Sequence, residues 1–192
     1  LHNPAHVNLG LAIDVPSANG ERRLLVPSVK NADTLDLASF IDAYDALVVK
    51  ARKGQLTVDD FKDTTATLTN PGMIGTLNSV PRLMPGQGLI MGVGAMTYPA
   101  AFAGASPETL ARQAVGKVLT LSNTYDHRVI QGAQSGELLR LMERKLMGLD
   151  GFWNRSFKAL RIPHEPVHWD QDVTYDPLAD AGKPARVAEL IH

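Results

Sequence analysis

A histidine between a strand and a helix is a candidate for proton chemistry before anything else is known of a chain. In Asn123-Thr124-Tyr125-Asp126-His127-Arg128-Val129-Ile130-Gln131-Gly132-Ala133, a β-type run from Lys117 to Tyr125 leads in and a helix-type run from Gly132 to Met147 leads out. Loops held by rigid elements commonly present reactive side chains, and an imidazole gives and takes a proton near neutral pH. On pattern alone, a surface or structural histidine is the better fit than a catalytic one. Other clusters carry less. His164 and His168 have a spacing that binds metal on a helix, but Pro163 and Pro166 disfavour a helix and no convincing acidic or cysteine third ligand accompanies them. The glycines at 86, 88, 92 and 94 lack the Gly-Lys-Ser/Thr of a phosphate loop. Asp59-Asp60 reads as a pair of acids at a helix start, favoured by the dipole. His2 and His6 lie near the first residue and carry little weight.

These residues need elements to hold them. Val7, Leu9, Leu11, Ile13 and Val15 alternate with strand periodicity, Pro16 to Gly20 is turn chemistry, and Leu24 to Val29 reads as the second arm of a hairpin. Pro27 puts that arm at an edge or a bulge. A helix is expected from a cap at Asp33 or Thr34 to about Lys53, with Leu37, Ile41, Tyr44 and Val48 on its inward face. Thr57 to Asp60 forms a capping box, and Thr64 to Asn70 is a β-branched strand. Pro71 to Gly88 is loop. Leu89 to Met96 is a buried strand whose glycines predict close approach of another backbone. Tyr98 to Ser106 is a surface excursion, and Ser106-Pro107 caps a short helix. Leu138, Leu141, Met142 and Leu146 make the expected inward stripe of the last long helix.

Composition sets bounds. A chain of 192 residues suffices for one core, and 44% hydrophobic with 20% charged residues is ordinary for a soluble protein. A net charge of -1 offers no reason to expect nucleic acid or an anionic membrane as partner. The absence of cysteine excludes disulfides, thiolate metal sites and a cysteine nucleophile, and fits a reducing compartment. No run approaches the ~18 apolar residues of a membrane span, and no signal peptide opens the chain. Cytoplasm is the expected location.

Four ordered segments make a family visible. Tyr125-Asp126-His127-Arg128-Val129-Ile130-Gln131-Gly132-Ala133 resembles the active-site signature of the dihydrolipoamide acyltransferases of 2-oxoacid dehydrogenase complexes. Thr67 to Gly75 is similar to that family's Thr-Ile-Thr/Ser-Asn-x-Gly-x-x-Gly segment. Gln87 to Gly94 matches its Gln-x-Ala-Ile-Leu-Gly-Val-Gly strand, and Val7 to Ile13 its preceding strand. The resemblance implies an α/β, chloramphenicol-acetyltransferase-like two-layer sandwich with a mixed sheet. It begins partway into the catalytic domain, so the N-terminal part of that domain is expected to be missing.

The family moves an acyl group between the thiols of a dihydrolipoyl arm and coenzyme A. A base must make a thiolate, a donor must meet the oxyanion, and both thiols must be held where bulk water is excluded. By resemblance His127 is the base and Thr69 the oxyanion donor, with Thr67 a register alternative of worse fit. The family usually has aspartate where Gln131 stands. Glutamine keeps a hydrogen bond but not a charge, and a buried ion pair stripped of one charge is costly, so its partner is expected to have changed too. The resemblance also implies a homotrimer with active sites between subunits, His127 of one copy facing Thr69 of another. It implies dihydrolipoamide dehydrogenase and a lipoyl-bearing acyltransferase as partners. No Asp-Lys pair of the kind that carries lipoate occurs, so the lipoyl group is expected in trans. No nucleic acid, membrane or metal is expected at the site.

The end of the chain is different in character. Residues 1–149 read as the catalytic domain and 150–182 as a linker. Lys183 to His192 resembles the start of a thiamine-diphosphate-dependent 2-oxoglutarate dehydrogenase component. That order is found in the actinobacterial multifunctional 2-oxoglutarate dehydrogenases/decarboxylases. It implies a succinyl cargo, with thiamine diphosphate and magnesium only in the downstream part. Two rivals remain: a non-catalytic trimerising scaffold, and a free-standing acetyltransferase acting on a small molecule.

Overall fold

A computed structural model describes residues 4–16 and 20–164. The expectations for His2, His168, most of the linker and the segment from Lys183 onward fall outside the described residues. Strands β1 (Leu9–Leu11), β4 (Ser28–Val29), β5 (Ala66–Thr69), β6 (Leu89–Val93) and β7 (Leu121–Tyr125) form one mixed sheet in the order β4-β1-β5-β6-β7. The β1–β5 and β5–β6 pairs are parallel; β1–β4 and β6–β7 are antiparallel. Strands β2 (Ile13–Pro16) and β3 (Arg22–Leu25) make a separate hairpin. Pro27 ends the hairpin arm, and its carbonyl accepts from Leu11 N–H at 2.9 Å, so β4 restarts as the sheet's edge.

Register sorts the side chains onto two faces, because alternate residues point to opposite sides. One face carries Val29, Leu9, Leu11, Leu68, Met91, Leu121 and Asn123; the other carries Ser28, Gly10, Thr67, Thr69, Gly92, Ser122 and Thr124. Helix α1 (Leu37–Arg52) packs on the apolar face, and Leu11, Ile13, Val29, Leu47 and Ala51 are the buried centre of the core. Two sequence expectations shift here. The cap is Asp36, accepting from Ser39 N–H at 2.7 Å, because Ala32–Thr34 is already a separate 3-10 turn. The inward stripe is Phe40, Ala43, Leu47, Val48 and Ala51, which keeps the expected Val48 but is rotated from Leu37, Ile41 and Tyr44. The two alanines let the helix approach the sheet closely, and Tyr44 is left exposed.

Strand β6 bears out the close approach expected from its glycines. A Cβ on Gly94 would meet the Leu77 carbonyl oxygen at 2.1 Å, and one on Gly72 would meet the Gly94 backbone at 2.4 Å. Only glycine lets the loop after β5 lie on the end of β6. Helix α2 (Pro107–Arg112) starts as expected at Ser106, whose Oγ accepts from Thr109 N–H at 3.2 Å.

Helix α3 (Gly132–Leu146) follows β7, and Ser135 Oγ donates to Asn123 Oδ1 at 3.1 Å. Its expected inward stripe holds only in part: Leu138 and Met142 are half-buried, while Leu141 and Leu146 are exposed. The stretch read as a linker is helical where it begins. Phe152–Ala159 forms a further helix, α4, tied to α3 by Trp153 Nε1–H donating to the Leu146 carbonyl at 2.8 Å. Apolar Phe152, Trp153 and Phe157 recur at helical spacing there, beneath a segment whose prolines begin only at 163. No helix among the described residues is long and apolar enough to cross a membrane.

Candidate active site

The turn after β7 is built by backbone and charge together. Asp126 N–H donates to the Gly88 carbonyl at 3.0 Å, and the Asp126 carbonyl accepts from Val129 and Ile130. The Asp126 carboxylate accepts from the Arg128 backbone N–H at 3.0 Å and from Arg128 Nε at 2.9 Å. The guanidinium, with that N–H, holds the Asp126 carboxyl down at about 2, so it is charged at any pH where the protein works. His127 is thus bracketed by two residues that grip each other across it. Its ring is exposed, 5.5 Å from the Tyr125 ring centroid, and makes no hydrogen bond among the described residues. A base held on a rigid turn with a free ring can meet a proton brought by a ligand.

Thr69 ends β5, half-buried, and its hydroxyl also makes no hydrogen bond among the described residues. Thr67 differs: it is fully buried and its hydroxyl donates to Gln87 Oε1 at 2.6 Å. Of the two threonines in register, only Thr69 has a hydroxyl to offer. One chain does not bring Thr69 and His127 together. Thr69 lies level with Gly92 and Ser122, while Tyr125 lies level with Leu89 and Ala66. Three residue steps and two strand spacings put the Thr69 and Tyr125 Cα atoms about 14 Å apart, and His127 lies beyond Tyr125.

Gln131 is the N-cap residue of α3 and is exposed; its N–H donates to Gln134 Oε1 at 2.8 Å. It serves the helix start, a role that follows from its position before Gly132 and not from the charge that distinguishes it from the family's aspartate. Sequence reasoning also passed over Gln87, whose buried link to Thr67 was signalled only by a polar residue entering an apolar strand. A cavity of about 610 Å³ opens beside α2, walled by Tyr98, Phe102, Leu110 and Val115. No residue of the His127 turn lines it. Among the described residues no group of three or more His, Asp or Glu could hold a metal ion.

Comparison with known proteins places these features. The family model "2-oxoacid dehydrogenases acyltransferase (catalytic domain)" matches residues 1–149. The multifunctional 2-oxoglutarate metabolism enzyme of Mycolicibacterium vanbaalenii is 54% identical over 98% of this chain, and the 2-oxoglutarate dehydrogenase E1/E2 component of Corynebacterium glutamicum is 51% identical over the same share. The chain spans about 15% of the length of each. Among solved structures, the Azotobacter vinelandii dihydrolipoamide acetyltransferase superposes with a TM-score of 0.61 at 26% identity, covering 78% of this chain and 57% of that one. In that protein a serine, a histidine and an asparagine were examined for roles in the catalytic mechanism. The cubic core of the pyruvate dehydrogenase multienzyme complex gives a TM-score of 0.55 at 28% identity, covering 71% of this chain and 52% of that one. The mixed sheet with both long helices on one face is therefore the two-layer, chloramphenicol-acetyltransferase-like fold of those catalytic cores. The chain belongs to the 2-oxoacid dehydrogenase acyltransferase family, to whose catalytic domain residues 1–149 correspond.

Proposed function

We propose that this domain transfers a succinyl group from a dihydrolipoyl thiol to coenzyme A, with His127 as general base and Thr69 as oxyanion donor. The observation that carries the reading is the His127 turn: an unbonded, exposed imidazole on a rigid strand end, inside the family's signature. His127 takes the proton from the coenzyme A thiol, and the resulting thiolate attacks the succinyl thioester carbonyl. The Thr69 hydroxyl donates to the oxyanion of the tetrahedral intermediate. Its collapse breaks the bond to the dihydrolipoyl sulfur, and the proton returns from His127 to that sulfur. The succinyl cargo is supported by the 2-oxoglutarate names of the relatives.

The separation of Thr69 from His127 within one chain supports a site shared between copies. A homotrimer supplies it, with His127 of one copy facing Thr69 of another. Exposed Met73 and Val80 after β5, and Leu141 and Leu146 on α3, offer the apolar surface such an assembly needs. The other working partners are a lipoyl-bearing acyltransferase, which brings the arm in trans, and dihydrolipoamide dehydrogenase. We assign thiamine diphosphate and magnesium to the downstream thiamine-dependent component and not to the residues of this chain, and the whole assembly to the cytoplasm. Gln131 fits a working enzyme: in the Azotobacter protein the asparagine examined also follows the histidine by four residues and is likewise an amide.

The test is His127→Ala, assayed for succinyl transfer from succinyl-dihydrolipoamide to coenzyme A with folding followed by circular dichroism. The expected result is a loss of about 10²–10⁴-fold with the fold intact; unchanged transfer removes His127 from the mechanism. Binding of coenzyme A separates this reading from a non-catalytic scaffold, which has no use for it.

A further inference from the structure

Both halves of the proposed site hang on one dipeptide. Gln87 stands two residues before β6 with a buried side chain, and its Oε1 accepts from Thr67 Oγ1 at 2.6 Å. Thr67 stands two residues before Thr69 on the same face of β5. That hydroxyl has no slack: a Cβ on Gly10 in the neighbouring strand would lie 2.8 Å from it. The next residue, Gly88, donates its N–H to the Thr65 carbonyl at 3.1 Å and accepts from Asp126 N–H at 3.0 Å. Ile130, beyond the histidine, closes over it, with Cδ1 3.7 Å from where a Gly88 Cβ would stand. Thus Gln87-Gly88 grips the strand that ends in Thr69 and suspends the turn that carries His127.

We propose that Gln87 is a positioning residue for acyl transfer, acting through its buried hydrogen bond to Thr67 to hold in place both the strand that ends in Thr69 and, through Gly88, the turn that carries His127. The inference rests on the acyltransferase reading above. A hydrogen bond between side chains twenty residues apart, both buried, is expensive to leave half made, so it holds one geometry. In an assembly where each copy lends Thr69 to one site and His127 to another, releasing this bond displaces both contributions at once. Neither Gln87 nor Thr67 is accessible to substrate, so the effect falls on turnover and not on substrate binding. Misplacement of reacting groups by about 1 Å can cost up to about a hundredfold in rate.

The experiment uses the full-length protein with succinyl-dihydrolipoamide and coenzyme A. Gln87→Met and Thr67→Val, which keep volume and remove acceptor or donor, are expected to lower kcat by about ten- to a hundredfold. KM for both substrates, the assembly size and the shape of the pH profile should stay as in the wild type. Thr67→Ser, which keeps the hydroxyl, should retain most of kcat, and the double variant should lose no more than either single one. Unchanged kcat in either Gln87→Met or Thr67→Val, or losses that multiply in the double variant, overturns the inference while leaving the function intact. Equal losses in Thr67→Ser and Thr67→Val also overturn it. A wild-type protein that moves no acyl group sinks the function reading, and this inference with it. If Thr67→Val does not fold, Gln87→Met against Thr67→Ser makes the same comparison.

Discussion

The two ends of the sheet are built to different standards. Under α1, the strands β1, β4 and β5 close over Leu11, Val29, Leu47 and Ala51, all buried. Under α3, every residue of β7 is only half-buried, Leu141 is 45% exposed and Leu146 41% exposed. Two buried polar atoms in β7, Asn123 Nδ2 and Thr124 Oγ1, have no partner among the described residues. A completed core satisfies its polar groups and covers its apolar ones. Among the described residues one end of the molecule is thus closed, while the other, which carries His127, is left open. That is the arrangement expected if the β7 end meets another copy and the α1 end merely anchors the fold.

Substitutions sharpen this contrast, in descending size. Leu47→Ala should destabilise the fold by about 2–5 kcal/mol in denaturant unfolding. Asp36→Ala, which removes the α1 cap, should lower the denaturant midpoint by the same measurement, but by less than Leu47→Ala does. Leu141→Ala should cost less than about 0.5 kcal/mol in a single chain but weaken self-association, read by analytical ultracentrifugation. A Leu141 loss as large as that of Leu47 would erase the distinction between the two ends.

The smallest effect is acid titration of the His127 turn. The carboxyl of Asp126, held near 2 by Arg128, is depressed from its ordinary 3.8, so its stabilising share is complete above about pH 4 and fades as pH falls through about 2. The Asp126 side chain should therefore titrate by NMR with a midpoint near 2. A midpoint near the ordinary carboxylate value would mean that the Arg128 grip is absent in solution.

Much of this was legible in residues whose roles are local. The Ser106-Pro107 helix start, the Thr57–Asp60 box and the glycines of β6 each followed from steric or capping rules acting over a few positions. The α1 face was misjudged by a small rotation because hydrophobicity favours Ile41 and Tyr44, whereas close packing on a sheet favours Ala43 and Ala51. The helix at Phe152 was hidden by the prolines beyond it. The open stripe of α3 has the same sequence pattern as a buried one, so its exposure is not encoded in the spacing of its apolar residues. His127 and Thr69 were visible through the family motif, but the distance between them within a chain depends on strand order and register, which no local pattern encodes.

The central claim is that His127 and Thr69 act on one thioester from different copies of the chain. The direct measurement is complementation: chains bearing His127→Ala and chains bearing Thr69→Ala are assembled separately and then co-assembled in equal amounts, with succinyl transfer followed in each case. Each variant alone should be impaired by at least about a hundredfold, while the mixture should recover roughly a quarter of wild-type activity, the share of interfaces that pair an intact histidine with an intact threonine. Mixed assemblies that stay as inactive as their parents would place both groups in the same chain and contradict the account.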